Sequence, residues 1–386
     1  MRIAIDGRTL TGRFTGDRTY WLNLIRSLVA LPETHDAEFL IYSRLPIPAG
    51  VLPDSSKLKQ IVLSSVNDRV WTLATLPLAL RKERVDLLHV QYTTPLPFLC
   101  PCPVVTTVHD ITFKLFPEWY DLKDRFLLNL TVPLAMKLAK YVITVSHSSR
   151  KDILRTYEIA PEKVVATPLG LPLEFAEISQ SAGEGVSKEV EAEIYKKYGI
   201  ARPFVLSVGV LQPRKNNKFL IEAFAKAKAK YSIPHSLQMV GKLGWNTDIS
   251  ELKALARKSG GVKGAEGVQF PGYVEDSDLP TLYRMCDLFA HPALYEGFGI
   301  PPLEAMACGA PTLVSDAPAL PEVVGDAARI VSVHDLEGWI VAIGTLLQSP
   351  EERSILSQKG LERVKLFNWS ETARLTWEVY GKVVLM

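Results

Sequence analysis

The pattern that most narrows the fold is a repeated alternation of short apolar runs with longer stretches of helical spacing. In the first half the runs are Arg2–Asp6, Glu38–Tyr42, Gln60–Leu63, Asp86–Val90, Val104–Val108, Tyr141–Val145 and Val164–Thr167. Between the first two, Trp21, Leu24, Ile25 and Leu28 recur with the period of one helix face. Strands that are apolar throughout are buried on both faces, and strands separated by helices form parallel sheets. The second half repeats the plan at Phe204–Val208, Leu237–Val240, Val268–Phe270, Leu288–His291, Thr312–Ser315 and Arg329–Val331. The chain therefore reads as α/β, with two doubly wound domains.

Length agrees, since 386 residues suit two domains. Between Leu171 and Arg202 the character changes. Gln180 to Gly185 is small and polar, and a charged helix, Glu189–Tyr198, follows. The expected division is 1–180 for the first domain and 181–367 for the second. Two such sheets would point their carboxyl ends into a cleft, where ligands bind in this architecture. Residues just after strands are therefore the ones to inspect.

Several classes are excluded. With 44 Lys+Arg against 42 Asp+Glu the net charge is +2, which does not support a dedicated nucleic-acid binder. The four cysteines do not form a disulfide scaffold. Cys100 and Cys102 lack zinc or redox spacing, and Cys286 and Cys308 read as small core residues, which suits a cytoplasmic protein. The N-terminus opens on a strand pattern instead of a signal peptide. Phe126–Val145 is interrupted by Asn129, Lys137 and Lys140, so it reads as a buried helix followed by a strand and not a membrane span. Residues 1–175 hold 21 basic and 17 acidic side chains and the remainder 23 and 25. That polarity is mild and leaves room for peripheral contact with the inner membrane face.

The most informative segment runs from Tyr295 to Gly309, just after the Leu288–His291 strand. Gly297, Gly299, Pro301 and Pro302 keep a helix from spanning Glu296 to Glu304. A helix should begin at about Pro302, placing Glu304 in its first turn and Glu296 on the approaching loop. Both carboxylates would then converge on one helix start, where free N–H groups can bind phosphate. The alternative is a helix-favouring acid and a solvated loop residue. Arg214 and Lys215 also follow a strand and precede an expected helix, Lys218–Lys230, with Asn216 or Asn217 as its cap. Adjacent cations there suit a pyrophosphate, although many such pairs are merely solvated. His109 ends a strand, where a lone histidine is more often structural. Gly16 could turn backbone N–H groups towards a phosphate.

Other patterns carry less. Asp276-Ser277-Asp278 is formally a DxD, but it reads better as a helix start. There is no GxxxxGK[ST] loop, no GxGxxG after the first strand, and no zinc spacing.

In their context these residues resemble family 4 retaining glycosyltransferases with the GT-B fold, two Rossmann-like doubly wound domains facing a central cleft. Glu296 and Glu304 within YEGFGIPPLEAMACGAP resemble the family's signature, and VGVLQPRKN its second landmark. Gln91-Tyr92, Thr107 to Asp110, Phe116-Pro117-Glu118, Phe270 to Val274 and Leu320 to Asp326 agree in order. Phe367-Asn368-Trp369 with Thr372–Tyr380 is similar to a last helix, about 368–386, that crosses back onto the first domain.

The resemblance implies a nucleotide-diphosphate sugar as donor substrate, no metal and no resident cofactor. Arg214 and Lys215 would neutralise the diphosphate, and Glu304 would bind the ribose hydroxyls. Glu296 with the Gly297-Phe298-Gly299 backbone would hold the sugar. His109 would contact that sugar from the acceptor-binding first domain, and Tyr273 and Val274 would border the base. The leaving phosphate would take the acceptor proton on the same face. By family frequency the donor is GDP-mannose first and a UDP-sugar second. The acceptor would be a glycan, a lipid-linked saccharide or a small metabolite. A nucleotide-sugar epimerase, a phosphorylase and an inactive transferase-like binder are the competing readings. One departure stands out. Where the family often shows TGIGRY, this chain has Thr15-Gly16-Asp17-Arg18-Thr19-Tyr20, so Arg18 replaces a glycine and becomes a candidate to reach a donor or acceptor phosphate. Ser146 to Ser149 and Pro168-Leu169-Gly170 also depart, with an expected bearing on acceptor fit.

Overall fold

A computed structural model of the chain describes residues 1–12, 16–179, 186–244, 247–259 and 267–385. The polar run 180–185 and Thr15 lie outside these residues. The apolar runs are strands: β1 Arg2–Asp6, β2 Glu38–Ser43, β3 Leu58–Val62, β4 Leu87–Gln91, β5 Val104–Thr107, β6 Tyr141–Thr144, β7 Val164–Ala166, β8 Phe204–Val208, β9 Ser236–Val240, β10 Val268–Gly272, β11 Leu288–His291, β12 Thr312–Ser315 and β13 Arg329–Val331. The helices used below are α1 Gly16–Ala30, α2 Leu122–Leu138, α3 Leu173–Ser179, α4 Asn217–Tyr231, α5 Leu279–Met285, α6 Ile300–Ala307 and α7 Trp369–Val384.

The described strands form two sheets, ordered β3-β2-β1-β4-β5-β6-β7 and β10-β9-β8-β11-β12-β13, and every pairing is parallel. Both orders reverse direction once, between β1 and β4 and between β8 and β11. At such a reversal the two loops leaving adjacent strands part to opposite faces, which opens a crevice beyond the carboxyl ends. The central strands are fully buried, as at Ile3, Ala4, Ile5, Leu87 and Leu88 in the first sheet and Val205, Leu206, Leu288 and Phe289 in the second.

The chain divides into two compact units, Met1–Pro172 with Phe367–Met386, and Leu173–Leu366. The first crossover thus falls just before α3. This helix belongs to the second unit, where Phe175 meets the Tyr283 ring edge-on. The second crossover returns the chain for α7. Asn368 caps that helix by accepting from the Glu371 N–H at 2.8 Å. Trp369, Ala373, Val379, Tyr380 and Val383 are buried. Gly170 makes the crossing possible, because a Cβ there would stand 2.2 Å from the Trp369 nitrogen. Deeper in the unit, His89 Nδ1 lies 2.6 Å from the Tyr380 hydroxyl and His89 Nε2 lies 2.7 Å from Thr107 Oγ1. Thr107 Oγ1 also meets the Tyr20 hydroxyl at 3.0 Å. Burial lowers the His89 pKa to about 3, so the ring is neutral and both nitrogens serve as hydrogen-bonding links.

Ser146 has a local task. Its side chain accepts from the Ser149 N–H at 2.9 Å and caps the helix His147–Thr156. The helix within Phe126–Val145 is present as α2, followed by β6, but it is not buried all round. Leu122, Phe126, Leu130 and Leu134 are exposed. Among the described residues no helix is long and apolar enough to cross a membrane.

Candidate active site

The reversal between β8 and β11 brings together side chains more than 80 residues apart in sequence. After β8 the chain makes a short 3-10 turn, Pro213–Lys215, before α4. After β11 it runs through Ala293 to Gly299 into α6. The loops are tied by the backbone, since the Leu294 N–H donates to the Arg214 carbonyl at 2.8 Å. Arg214 Nη1 donates to Glu296 Oε2 at 2.6 Å, and Lys215 Nζ donates to Glu296 Oε1. His291, the last residue of β11, lies 3.0 Å from the same Oε1. A carboxylate only accepts, so His291 presents an Nε2–H.

All four groups are largely or fully buried. Burial opposes ionisation of Glu296, but the adjacent Arg214 and Lys215 charges outweigh it and hold the carboxyl well below its usual range. Burial lowers the Lys215 ammonium, with Arg214 repelling it and Glu296 supporting it. Burial, then the charge of Lys215, lowers His291 to about 4, so its ring is neutral near pH 7. The cluster therefore carries two cations and one anion, a net positive site at the reversal point.

Two glycines shape the floor. Gly209 and Gly241 follow β8 and β9 with φ of +145° and +146°. A Cβ on Gly241 would stand 1.9 Å from the Gly209 carbonyl oxygen, and one on Gly209 would stand 3.3 Å from Lys215 Cε. Only glycine allows this backbone approach beneath the lysine.

The α6 start differs from expectation. The helix begins at Ile300, with Gly299 as N-cap at φ +109°, so Pro301 and Pro302 lie inside it. Both prolines lack an N–H, which leaves fewer free donors for an anion. Glu304 is the fifth helical residue and lies beyond the first turn. It accepts a 3.0 Å hydrogen bond from the Tyr283 hydroxyl of α5, and its charge and that of Lys215 act on each other. Burial raises its pKa to about 7 against that hydrogen bond. A buried acid raised from 4.5 stabilises the fold below pH 4.5 and loses that contribution as pH rises through about 7. Glu304→Gln should therefore match wild type near pH 4.5 and exceed its stability by up to about 3 kcal/mol at pH 8. Urea unfolding at the two pH values tests this, and a pH-independent difference would contradict it.

Gly297 and Phe298 are buried in the loop before α6. Val274 is buried, while the Tyr273 ring is partly exposed with Lys242 Nζ 4.0 Å from its centre. Asn216 adopts φ 55° and makes no side-chain cap bond, so α4 starts without the expected cap. Asp278 precedes α5 but accepts from Lys197 and Tyr198 instead of capping. In the first unit, Gly16 is the first residue of α1, and the buried Arg18 directs Nε to the Leu10 carbonyl at 3.1 Å. His109 Nε2 lies 3.1 Å from Gln91 Nε2 and 3.6 Å from Asp17 Oδ1. Burial lowers its pKa, with Asp17 and Asp110 opposing.

The first unit also holds a cavity of about 1040 Å³ beyond the carboxyl ends of β1 and β4. Arg8 pairs with Asp6 at 2.8 Å and Arg44 with Asp68 at 2.9 Å along its polar side. Leu127 and Leu128 of α2 line the other side. Fixed donors and acceptors opposite an apolar wall suit a ligand with many hydroxyls and exposed C–H faces. Sequence reasoning missed His291, Tyr283 and the Arg8–Asp6 pair. His291 was within reach, since it ends a strand just as His109 follows one.

Residues 190–363 match the family described as Glycosyl transferases group 1, and residues 15–175 match Glycosyltransferase Family 4. The O-antigen chain mannosyltransferase B of Escherichia coli is 32% identical over 279 residues, covering 72% of this chain and 69% of that protein. The serotype-specific mannosyltransferase WbdA of Escherichia coli is 30% identical over 290 residues and 74% of this chain, which spans only 34% of its length. Sucrose-phosphate synthase from Thermosynechococcus elongatus shares the fold with a TM-score of 0.73 at 20% identity, over 99% of this chain and 98% of that one. Matching family models on both halves and a relative of similar extent lead to one conclusion: the chain belongs to glycosyltransferase family 4, the retaining glycosyltransferases of the GT-B fold.

Proposed function

We propose that the chain transfers a mannosyl residue from GDP-mannose, with retention, to a saccharide acceptor. The observation that carries this is the buried Arg214–Lys215–Glu296–His291 cluster at the β8/β11 reversal. Its net positive charge suits a diphosphate, and the carboxylate keeps both cations ordered before the ligand arrives. Mannose as the sugar is supported by the names of the relatives. A UDP-sugar is the second choice.

In this reading Arg214 and Lys215 bind the diphosphate. Glu296 and the Gly297–Gly299 backbone orient the sugar, Glu304 accepts from the ribose, and Tyr273 and Val274 border the base. His109, neutral by burial, contacts the sugar, and the cavity beside Asp6 and Arg8 holds the acceptor. Gly16 and Arg18 frame the start of α1 near that cavity. The anomeric carbon–phosphate oxygen bond breaks, and charge grows on the departing diphosphate, where fixed cations stabilise it. The acceptor hydroxyl attacks the same face and passes its proton to a departing phosphate oxygen. No resident cofactor or metal is needed by this scheme.

A thermal-shift comparison of GDP and UDP tests the donor. A ligand at 100 times its dissociation constant adds about 2.7 kcal/mol, so GDP should raise the melting temperature and UDP should not. NMR of GDP-mannose with mannose oligosaccharides should then show an α-linked product. Transfer from UDP-sugars alone would overturn the donor assignment, and donor epimerisation without transfer would overturn the reaction.

A further inference from the structure

We propose that Cys100 and Cys102 form a thiol–disulfide exchange site that reacts with small-molecule disulfides. Their spacing is one residue short of a CxxC pair, but the backbone brings the sulfurs together all the same. The loop between β4 and β5 is held at both ends. On one side the Leu99 and Cys100 N–H groups both donate to the Leu96 carbonyl, at 2.9 and 3.1 Å. On the other the Pro103 carbonyl accepts from the Leu88 N–H of β4 at 3.0 Å. Pro101, between the two cysteines, has a fixed φ. Cys100 Sγ and Cys102 Sγ stand 3.9 Å apart, in hydrogen-bond contact.

Both thiols are half-buried and pack against the core cluster that holds Trp71, Leu80, Val85 and Val104. The turn that carries them is at the surface, since Phe98 is 76% exposed. The pair is thus fixed in place yet open to a small reagent. Cys286 and Cys308 differ, because both are buried and burial raises their pKa values.

The two thiols are not equivalent. The hydrogen bond from Cys102 outweighs burial and lowers the Cys100 pKa to about 7. The same hydrogen bond and burial raise Cys102, and the Asp86 carboxylate adds to that. One sulfur is therefore a nucleophile near neutral pH and the other a resolving thiol. The Cys100 thiolate attacks one sulfur of a disulfide R–S–S–R, the new S–S bond forms, and RS⁻ leaves. Cys102 gives up its proton and attacks the Cys100 sulfur. The Cys100–Cys102 bond forms and the second RS⁻ leaves. The dithiol is oxidised by two electrons, R–S–S–R is reduced to two R–SH, and the two protons end on the released thiols. The proposal does not depend on the transferase reading, because exchange needs neither donor nor acceptor.

Treatment of the folded full chain with glutathione disulfide tests it. After alkylation under denaturing conditions and tryptic digestion, the segment Val85–Lys114 holds both cysteines. In the wild type that segment should lose two hydrogens and escape alkylation, while Cys286 and Cys308 are alkylated in full. Dithiothreitol should reverse the change. Cys102→Ser should stop at the first step and accumulate a glutathione adduct on Cys100. Cys100→Ser should react about tenfold more slowly, since an ordinary thiol is only slightly ionised at pH 7. The wild-type measurement needs no variant to fold. The proposal fails if that segment keeps both thiols, or if the disulfides formed link separate chains. It also fails if the two serine variants form adducts at equal rates, since the sulfurs would then be neighbours without distinct roles.

Discussion

Replacing Lys215 with alanine should lower the rate of sugar transfer by about 10²–10³-fold, the usual effect of losing one fixed charge at a developing anion. The ammonium is buried beside Glu296, and the lysine stem packs over Gly209 so closely that even a Cβ there would stand 3.3 Å from its Cε. Lys215→Arg should therefore fail to restore activity, despite its equal charge. The fold should survive, because Arg214 and His291 still hold Glu296. Glu296→Ala is the harsher change, since it leaves two buried cations without their carboxylate. Breaking a buried pair in that way costs about 3–5 kcal/mol. Turnover at saturating donor, with melting temperatures for both variants, separates the two effects. Near-normal turnover in Lys215→Ala would remove the lysine from the chemistry.

Removing residues 367–386 should abolish cooperative unfolding of the first unit and leave the second unit's transition intact. Trp369, Val379, Tyr380 and Val383 of α7 are buried in the first unit. At about 1.5–3 kcal/mol each, their burial contributes roughly 6–12 kcal/mol, as much as the whole stability of a typical domain, about 5–15 kcal/mol. The truncation also strips Tyr380 from His89, leaving a buried ring nitrogen without its partner. Calorimetry of the truncated chain should show one transition and increased binding of an apolar dye. Two unchanged transitions would show that α7 adds little. Tyr380→Phe, which keeps the ring and removes only the hydroxyl, should cost about 1–3 kcal/mol.

The central strands were legible because they are buried on both faces. Continuous apolar runs such as Phe204–Val208 and Leu288–His291 have no reading as surface segments. The segment after β8 was legible as a landmark, although the reason for Gly209 within it is a backbone contact with Gly241 that no local pattern encodes. The start of α6 was misjudged because two prolines suit a first turn wherever it begins, and Gly299 at positive φ moved it to Ile300. Glu304 was therefore assigned to the wrong turn. The pairing of Glu296 with Arg214 and Lys215 was not legible at all. It depends on β8 and β11 being neighbours, which is a property of strand order. The exposed face of α2 was concealed for the opposite reason, because an apolar run looks the same whether it faces a core or the surface.

The placement of α7 has a consequence for synthesis. The second unit is one unbroken stretch, Leu173–Leu366, whereas the first needs residues from both sides of it. On a ribosome that emits the chain from its first residue, the second unit can close as soon as Leu366 has emerged. The first unit, although its strands are made earlier, must wait with Gly170 and His89 uncovered until α7 follows. The usual order, in which the earlier domain completes first, is reversed here. A cell making this chain must shield a half-built sheet for the time it takes to translate the other unit.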